Sequence, residues 1–322
     1  MPGPMKTLGS ARYGDLMVKG KGLWQSQTPS EFLSHIPGGF VGLSNYPGNP
    51  IFADPINGSD LYDGTLPKRY GTTKEGPKLT FTGALAIASA KDVIVCGWGD
   101  FIEDGLVITQ RGLKVIGFGT SGLLRGSPLF IGTLGGDILT IKADDVEIVG
   151  LGFYQTVTAK CCISLAENPA HYWRNHIHDC GFAGEVANTW GIRAGAVAAE
   201  APYTVVERCR FYNLTGGVRL NSSAMVVQDC HFSVPANSQG IEDVPTTSSR
   251  PDRSILRNTF KGLSDTSYGV FVSNTPNRGE LLIDQNHMVG FVDNAHCCNL
   301  IGSGKAGLLG LNYNNATAMA VV

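Results

Sequence analysis

The sequence predicts an all-β fold, a right-handed parallel β-helix solenoid with an N-terminal capping helix and an irregular N-terminal arm. Three observations predict it. A short template of apolar, Cys or Asn, and aromatic residues recurs along the chain. A glycine-led strand follows several copies at a nearly fixed offset. Glycine is 42 of 322 residues, well above the usual ~7 %. With charged residues at only 16 %, this composition suits many short strands and tight turns rather than a coiled coil or a disordered tail.

Residues 1–50 hold nine glycines and six prolines, too many for long regular elements. The exception is TPSEFLSHI. Thr28 caps, Pro29 fits the first helical position and Glu31 completes a capping box, so a short helix is expected over Pro29–Ile36. Phe32, Leu33 and Ile36 share one of its faces, free to dock. The expected division is an arm over 1–50, for attachment or packing, and a β-helix over 51–322.

IFADP reads as a strand, and NGSDLYDGTLPKRYGTTKEGP as consecutive turns, because Asn, Asp, Gly and Pro each favour turn geometry. The pattern then turns helical over about 79–90, with Phe81, Leu85 and Ala88 on one face. Period-2 strands resume at DVIVCGWG and persist to the end.

The template appears as IHDCGF at 177–182, VERCRF at 206–211, VQDCHF at 227–232, ILRNTF at 255–260 and IDQNHM at 283–288. Looser copies are VIVCGW at 93–98, LKVIGF at 113–118 and IVGLGF at 148–153. Successive closing residues lie 20, 35, 29, 29, 21, 28 and 28 apart. A second strand follows at Gly191-Ile192, Gly217-Val218, Gly240-Ile241 and Gly269-Val270, and the next connection varies in length, as at Val244–Arg253. Constant strands with one variable turn describe a solenoid. Its coils would stack like residues at roughly 4.8 Å. Ile177, Val206, Val227, Ile255 and Ile283 form an expected aliphatic ladder. Phe182, Phe211, Phe232 and Phe260 form an aromatic one. Cys180, Cys209 and Cys230 continue into Asn258 and Asn286, whose amides can bond like amides above and below.

A net charge of −2 gives no reason to expect nucleic acid as a partner. No run is long and apolar enough for membrane insertion or a signal peptide. The eight cysteines include the vicinal pairs Cys161-Cys162 and Cys297-Cys298 and no C-x-x-C. Buried thiols, made in a reducing cytoplasm, are therefore expected rather than disulfides.

IFADPINGSDLYDG, the helix around FTGALAIASA, DVIVCGWGDFIEDGLVIT and LKVIGFG together resemble the N-terminal part of pectate-lyase-like right-handed β-helix proteins. That superfamily pairs a DP-x-NGSD-x-x-DG turn and capping helix with a strand pair matched here by Val93 to Glu103, with Trp98 where proline is more usual. The resemblance covers about residues 50–313 and implies the fold. It does not select a function, because the superfamily spans lyases, hydrolases, epimerases, phage tailspikes and inactive binding proteins.

Four groups of residues are candidates for chemistry. Asp54, Asn57, Asp60 and Asp63 can offer oxygens to Ca²⁺, although their spacing is not that of an EF-hand and Asx-turns account for the same residues. His171, His176 and His178 lie in HYWRNHIHD. With Ile177 inward, His176 and His178 share the outer face and can hold a transition metal or stand as exposed ladder residues. Glu242 and Asp243, with Arg219 one coil earlier, are the best candidates for glycan cleavage. Glu242 and Arg219 would also stack as a plain surface ion pair. The vicinal cysteines read as core packing, since no Cys-x-x-Cys lies near them.

The leading expectation is a bacteriophage virion structural protein, such as a tailspike, fibre or capsid decoration. It would be made in the host cytoplasm, form a homotrimer, meet other virion proteins through the arm, and present the β-helix to host-surface glycans. The alternatives are a polysaccharide lyase or glycoside hydrolase acting as a depolymerase, and a non-enzymatic bacterial carbohydrate-binding module.

Overall fold

The recurring hexapeptide folds as two strands joined by a two-residue corner, not as one strand. In the computed structural model, Ile177 points inward from strand His176–His178, and Asp179 turns the chain with φ of 53°. Cys180 and Phe182 then point inward again, Phe182 from strand Gly181–Gly184. Arg208, Asp229, Arg257 and Gln285 make the same positive-φ corner, and Gly150 makes it in the IVGLGF copy. Left-handed backbone costs a non-glycine residue roughly 1 kcal/mol. At two of these corners the side chains pair with the coil above, Arg208 with Asp179 at 2.9 Å and Arg257 with Asp229 at 2.7 Å.

The structure describes residues 16–20, 23–27, 48–69, 74–117, 128–165, 174–185, 188–194, 202–220, 224–244, 253–272, 281–300, 312–314 and 317–318. The helix expected over Pro29–Ile36, and most of the variable connection 244–253, fall outside them. Within the arm, strands Leu16–Gly20 and Leu23–Gln27 pair antiparallel, a hairpin the sequence analysis did not anticipate. The solenoid comprises three sheets of nine, ten and eight strands. Their pairing is parallel, except where Tyr313–Asn314 meets Thr317–Ala318 at the C-terminal edge. No described helix is long and apolar enough to cross a membrane.

The first sheet carries the aliphatic ladder in register, Ile148, Ile177, Val206, Val227, Ile255 and Ile283. The second carries stacked rings from Phe101 through Phe130, Phe153, Phe182, Phe211 and Phe232 to Phe260, with centroids 4.6–5.4 Å apart. Two template-closing assignments change. Trp98 is 58 % exposed and Phe101 takes its place in the ladder, while Phe118 lies outside the described residues and Phe130 occupies the next rung. The irregular first intervals of 20 and 35 came from those two residues.

At the corner, Asn258 Nδ2 donates to Asn286 Oδ1 and Asn286 Nδ2 to Asn312 Oδ1, both at 3.0 Å. The same oxygens accept the backbone N–H groups of Asn258 and Asn286. The ladder thus extends one residue beyond the expected pair. All eight cysteines are free and buried, and burial pushes their thiols up wherever a shift is resolved.

The capping helix, α1 (Phe81–Ile87), is shorter than the expected 79–90 because Ala88 is already extended, with ψ of 136°. Asp92 then holds the following turn, its Oδ2 accepting from Ser89 N at 2.8 Å. Phe81, Ala84 and Leu85 face the core. Two carboxylates meet the positive N-terminal end of α1. Asp60 accepts from Leu79 N and Thr80 N, and Glu103, reaching over from the first coil, accepts from Phe81 N and Thr82 N.

Candidate functional site

The third sheet places the predicted catalytic residues. Its strands Cys161–Leu165, Trp190–Ala194, Gly216–Leu220, Gln239–Asp243 and Tyr268–Val272 stack in register. Ile163, Ile192, Val218, Ile241 and Val270 are buried, which turns the next row outward: Ser164, Arg193, Arg219, Glu242 and Phe271. A second outer row runs through Trp190, Gly216, Gln239 and Tyr268. Residues 166–173, 195–201, 221–223, 245–252 and 273–280, all outside the described set, connect this sheet to the first.

Arg219 and Glu242 are paired across adjacent coils as their register predicts. Arg219 Nε lies 3.0 Å from Glu242 Oε2, but its N–H is not aimed at a hydrogen-bond acceptor, so the contact is Coulombic rather than a hydrogen bond. Burial raises the Glu242 carboxyl, and Arg219 only partly counters it. Asp243 is not beside Glu242 on this face. It points into the solenoid, where its Oδ1 accepts from Arg253 Nη1 at 2.7 Å, and both side chains are 1 % exposed. Another carboxylate on this side of the molecule is Asp137, 3.5 Å from Arg193. Leu139, two residues on, stands four rungs from Ile241. At ~4.8 Å per rung that separates Asp137 from Glu242 by about 19 Å, against roughly 5–9.5 Å for the acid pairs of glycoside hydrolases.

The aromatic groups of this face escaped the sequence analysis. A Cβ on Gly216 would stand 2.1–2.4 Å from three Trp190 ring carbons, so the indole lies flat across that glycine. The Arg219 guanidinium is 5.8 Å from the indole centroid. Tyr268 stacks on His296 at 5.0 Å and meets Phe271 edge-on at 5.6 Å. The signal was a glycine one coil after a tryptophan at the same register.

The first sheet carries a second polar group on its outer face. Glu147 is paired with His176, and His178 with Glu207. Glu147 Oε1 takes His178 Nε2 at 3.0 Å and Lys114 Nζ at 2.7 Å, while His176 Nε2 meets Glu207 Oε1 at 3.1 Å. Burial pushes the Glu147 carboxyl up, but the hydrogen bonds from His178 and Lys114 outweigh it and hold its pKa at about 2. Burial and the neighbouring His178 lower His176. His171 lies outside the described residues.

The Asp54 group does not converge on one point. Asp54 Oδ1 accepts from Ile56 N and Asn57 N, Asp60 binds the start of α1, and Asp63 Oδ1 accepts from Thr65 N and Thr65 Oγ1. Asn57 Nδ2 reaches Asp54 Oδ2 at 3.2 Å. These motif residues, with Glu103, build the turn and fasten the cap, which is why the resemblance they carry concerns fold.

No family model matches this sequence, and comparison with curated proteins finds no match. Solved structures do match in fold. The pectate lyase Pel9A aligns with a TM-score of 0.51 at 12 % identity, covering 84 % of this chain and 76 % of that one. A rice weevil pectin methylesterase aligns at 0.50 and 12 %, covering 75 % and 87 %. The chain has the pectate-lyase-like right-handed parallel β-helix fold.

Proposed function

We propose that this protein binds an extended polysaccharide along the outer face of the third sheet and does not cleave it. The observation that carries this reading is the Trp190 indole, laid flat across Gly216, with the Arg219 guanidinium over the ring at 5.8 Å from its centroid. A flat ring offers the apolar face of a sugar a stacking surface. Arg193, Arg219, Gln239 and Glu242 supply hydrogen bonds to hydroxyl or carboxyl groups, and Tyr268 and Phe271 continue the two outer rows one coil beyond Gln239 and Glu242. The names of the two fold relatives, a pectate lyase and a pectin methylesterase, are consistent with a glycan on such a scaffold. The inward turn of Asp243 counts against hydrolysis by the Glu242–Asp243 pair.

The setting we propose for this surface is a bacteriophage particle, as a tailspike, fibre or decoration protein, homotrimeric and attached through residues 1–50. Eight free, buried cysteines support assembly inside a reducing cell. The test of binding is titration of the full chain with host capsule, lipopolysaccharide and polygalacturonate, with reducing ends assayed in parallel. Binding weakened about tenfold by Trp190→Ala, with no new reducing ends, is expected. Cleavage abolished by Glu242→Gln would replace this reading with a depolymerase, and binding indifferent to Trp190→Ala would remove the proposed surface. Sedimentation of the full chain beside a chain starting at Asn49 tests the trimer, and a monomeric full chain would overturn it.

A further inference from the structure

We infer that Glu147, His176 and His178, on the outer face of the first sheet, form a binding site for a divalent transition-metal ion, zinc foremost. This face is distinct from the proposed glycan row, and the inference stands without it. His176 and His178 flank the inward Ile177, so both project outward from one three-residue strand. Glu147 sits beside His176 on the preceding coil. One carboxylate oxygen and two ring nitrogens from these residues all lie within 4.8 Å of one another. They form the one group of three such ligands among the described residues.

Zinc bonds of about 2.0–2.2 Å place neighbouring ligand atoms of a tetrahedral site roughly 3.4 Å apart. Glu147 Oε1 and His178 Nε2, at 3.0 Å, are already near that separation. The two distances to His176, both within 4.8 Å, would shorten by side-chain rotation around the ion. Two imidazoles and one carboxylate make a common three-ligand zinc set, with a fourth position for water or a ligand oxygen.

The surroundings favour metal ligation in two ways. A ligating imidazole ordinarily has a carboxylate or carbonyl on its other nitrogen, which fixes its tautomer and raises its basicity. His178 has one: its Nδ1 lies 2.7 Å from Asp179 Oδ2, and Arg208 holds that carboxylate at 2.9 Å. Glu207, 3.1 Å from His176 Nε2, brings a second carboxylate from the following coil to the same place. An ion here would fasten successive coils from outside, where the bare sheet has only hydrogen bonds and side-chain pairs. It would take the position of the proton shared by Glu147 and His178, releasing that proton to solvent, and would compete with Lys114 for Glu147 Oε1.

The experiment uses the full chain stripped with chelator. It is titrated with Zn²⁺ by calorimetry and with Co²⁺ by visible absorption, which distinguishes four-coordinate from six-coordinate cobalt. One ion per chain with a four-coordinate spectrum is expected, along with a rise in Tm on adding zinc. His176→Ala and Glu147→Gln should each weaken binding at least tenfold, and Asp179→Asn by about 10–100-fold. His231→Ala, on the second sheet, should leave it unchanged. His176 is part-exposed, and circular dichroism of the apo variants confirms that each remains folded. Zinc binding weaker than millimolar, a six-coordinate cobalt spectrum, or equal affinity in His176→Ala would overturn the site.

Discussion

Gly191 and the ring of Phe211, one coil further on, occupy a single space. A Cβ on Gly191 would stand 2.6 Å from Phe211 Cδ1 and 2.7 Å from Gly217 O. Gly217 faces Phe232 in the same way, and Gly240 faces Phe260. The glycine at the second position of these three third-sheet strands is therefore the socket for the aromatic rung of the next coil. None of these three glycines has the positive φ that would demand glycine for backbone reasons, so the requirement is one of volume.

Gly217→Ala should destabilise the protein by about 1–3 kcal/mol, the usual cost of overpacking a full core. Phe232→Leu in the same chain should recover part of the loss by vacating the socket. Urea unfolding of the single and double variants measures both. Additive losses would show that glycine and ring do not share the space.

Asn286 is the hinge of the amide ladder. Its Oδ1 accepts from Asn258 N and Nδ2, and its Nδ2 donates to Ile255 O and Asn312 Oδ1. Asn286→Ala orphans several buried groups at roughly 1–3 kcal/mol each, so the C-terminal coils should open first. Hydrogen exchange is expected to lose protection at Asn258 and Asn286 N–H while that at Cys180 holds. Uniform loss along the solenoid would show that the coils unfold as one unit instead.

Much of this was legible in the sequence because the hexapeptide is doubly constrained. Its first and last residues must be buried, and its third must turn the corner, so the pattern survives from IHDCGF to IDQNHM. The ends of the solenoid were less legible. In the first coil Gly97-Trp98-Gly99 holds the tryptophan outside, and the inward ring is delayed to Phe101. At Asn312 no aromatic follows two residues later, so the last rung did not match. Glu147 was readable in principle. Aligning IVGLGF with IHDCGF sets Glu147 against His176, but a ligand 29 residues away is visible only once the register is trusted. The flat seat of Trp190 depends on a glycine in another coil, and the inward aim of Asp243 on Arg253 across a corner. Neither has a local signature.

His231 should make stability depend on pH. Burial lowers its pKa, and the charges of Arg210 and Lys261 lower it further. The unfolded chain therefore holds more protons than the folded one just below the ordinary histidine value of about 6.5, and stability must rise with pH through that window. It is present above 6.5 and lost as pH falls toward the lowered folded value. His176 and His178 titrate nearby, so the quantity to measure is the difference in unfolding free energy between the wild type and His231→Gln at pH 5 and pH 7.5. The wild type should gain on the variant as pH rises, and the opposite trend would mean that His231 is stabilised as the cation.

Glu242 and Asp243 are neighbours in sequence on opposite sides of the sheet wall, and their substitutions should differ accordingly. Glu242 faces outward against Arg219 without a hydrogen bond, and burial already disfavours its charge. Glu242→Gln should thus change stability by no more than about 0.5 kcal/mol, as surface changes usually do. Asp243 neutralises the fully buried Arg253. Asp243→Ala leaves that guanidinium without its counter-charge, which should cost about 3–5 kcal/mol. Replacing both members, as Asp243→Leu with Arg253→Met, should restore most of that loss, because the core no longer holds a charge to desolvate. Chemical unfolding of the four proteins separates the roles before any glycan is added. If Asp243→Ala were as mild as Glu242→Gln, Asp243 would have to reach solvent, and a carboxylate pair on the third-sheet face would again be available for catalysis.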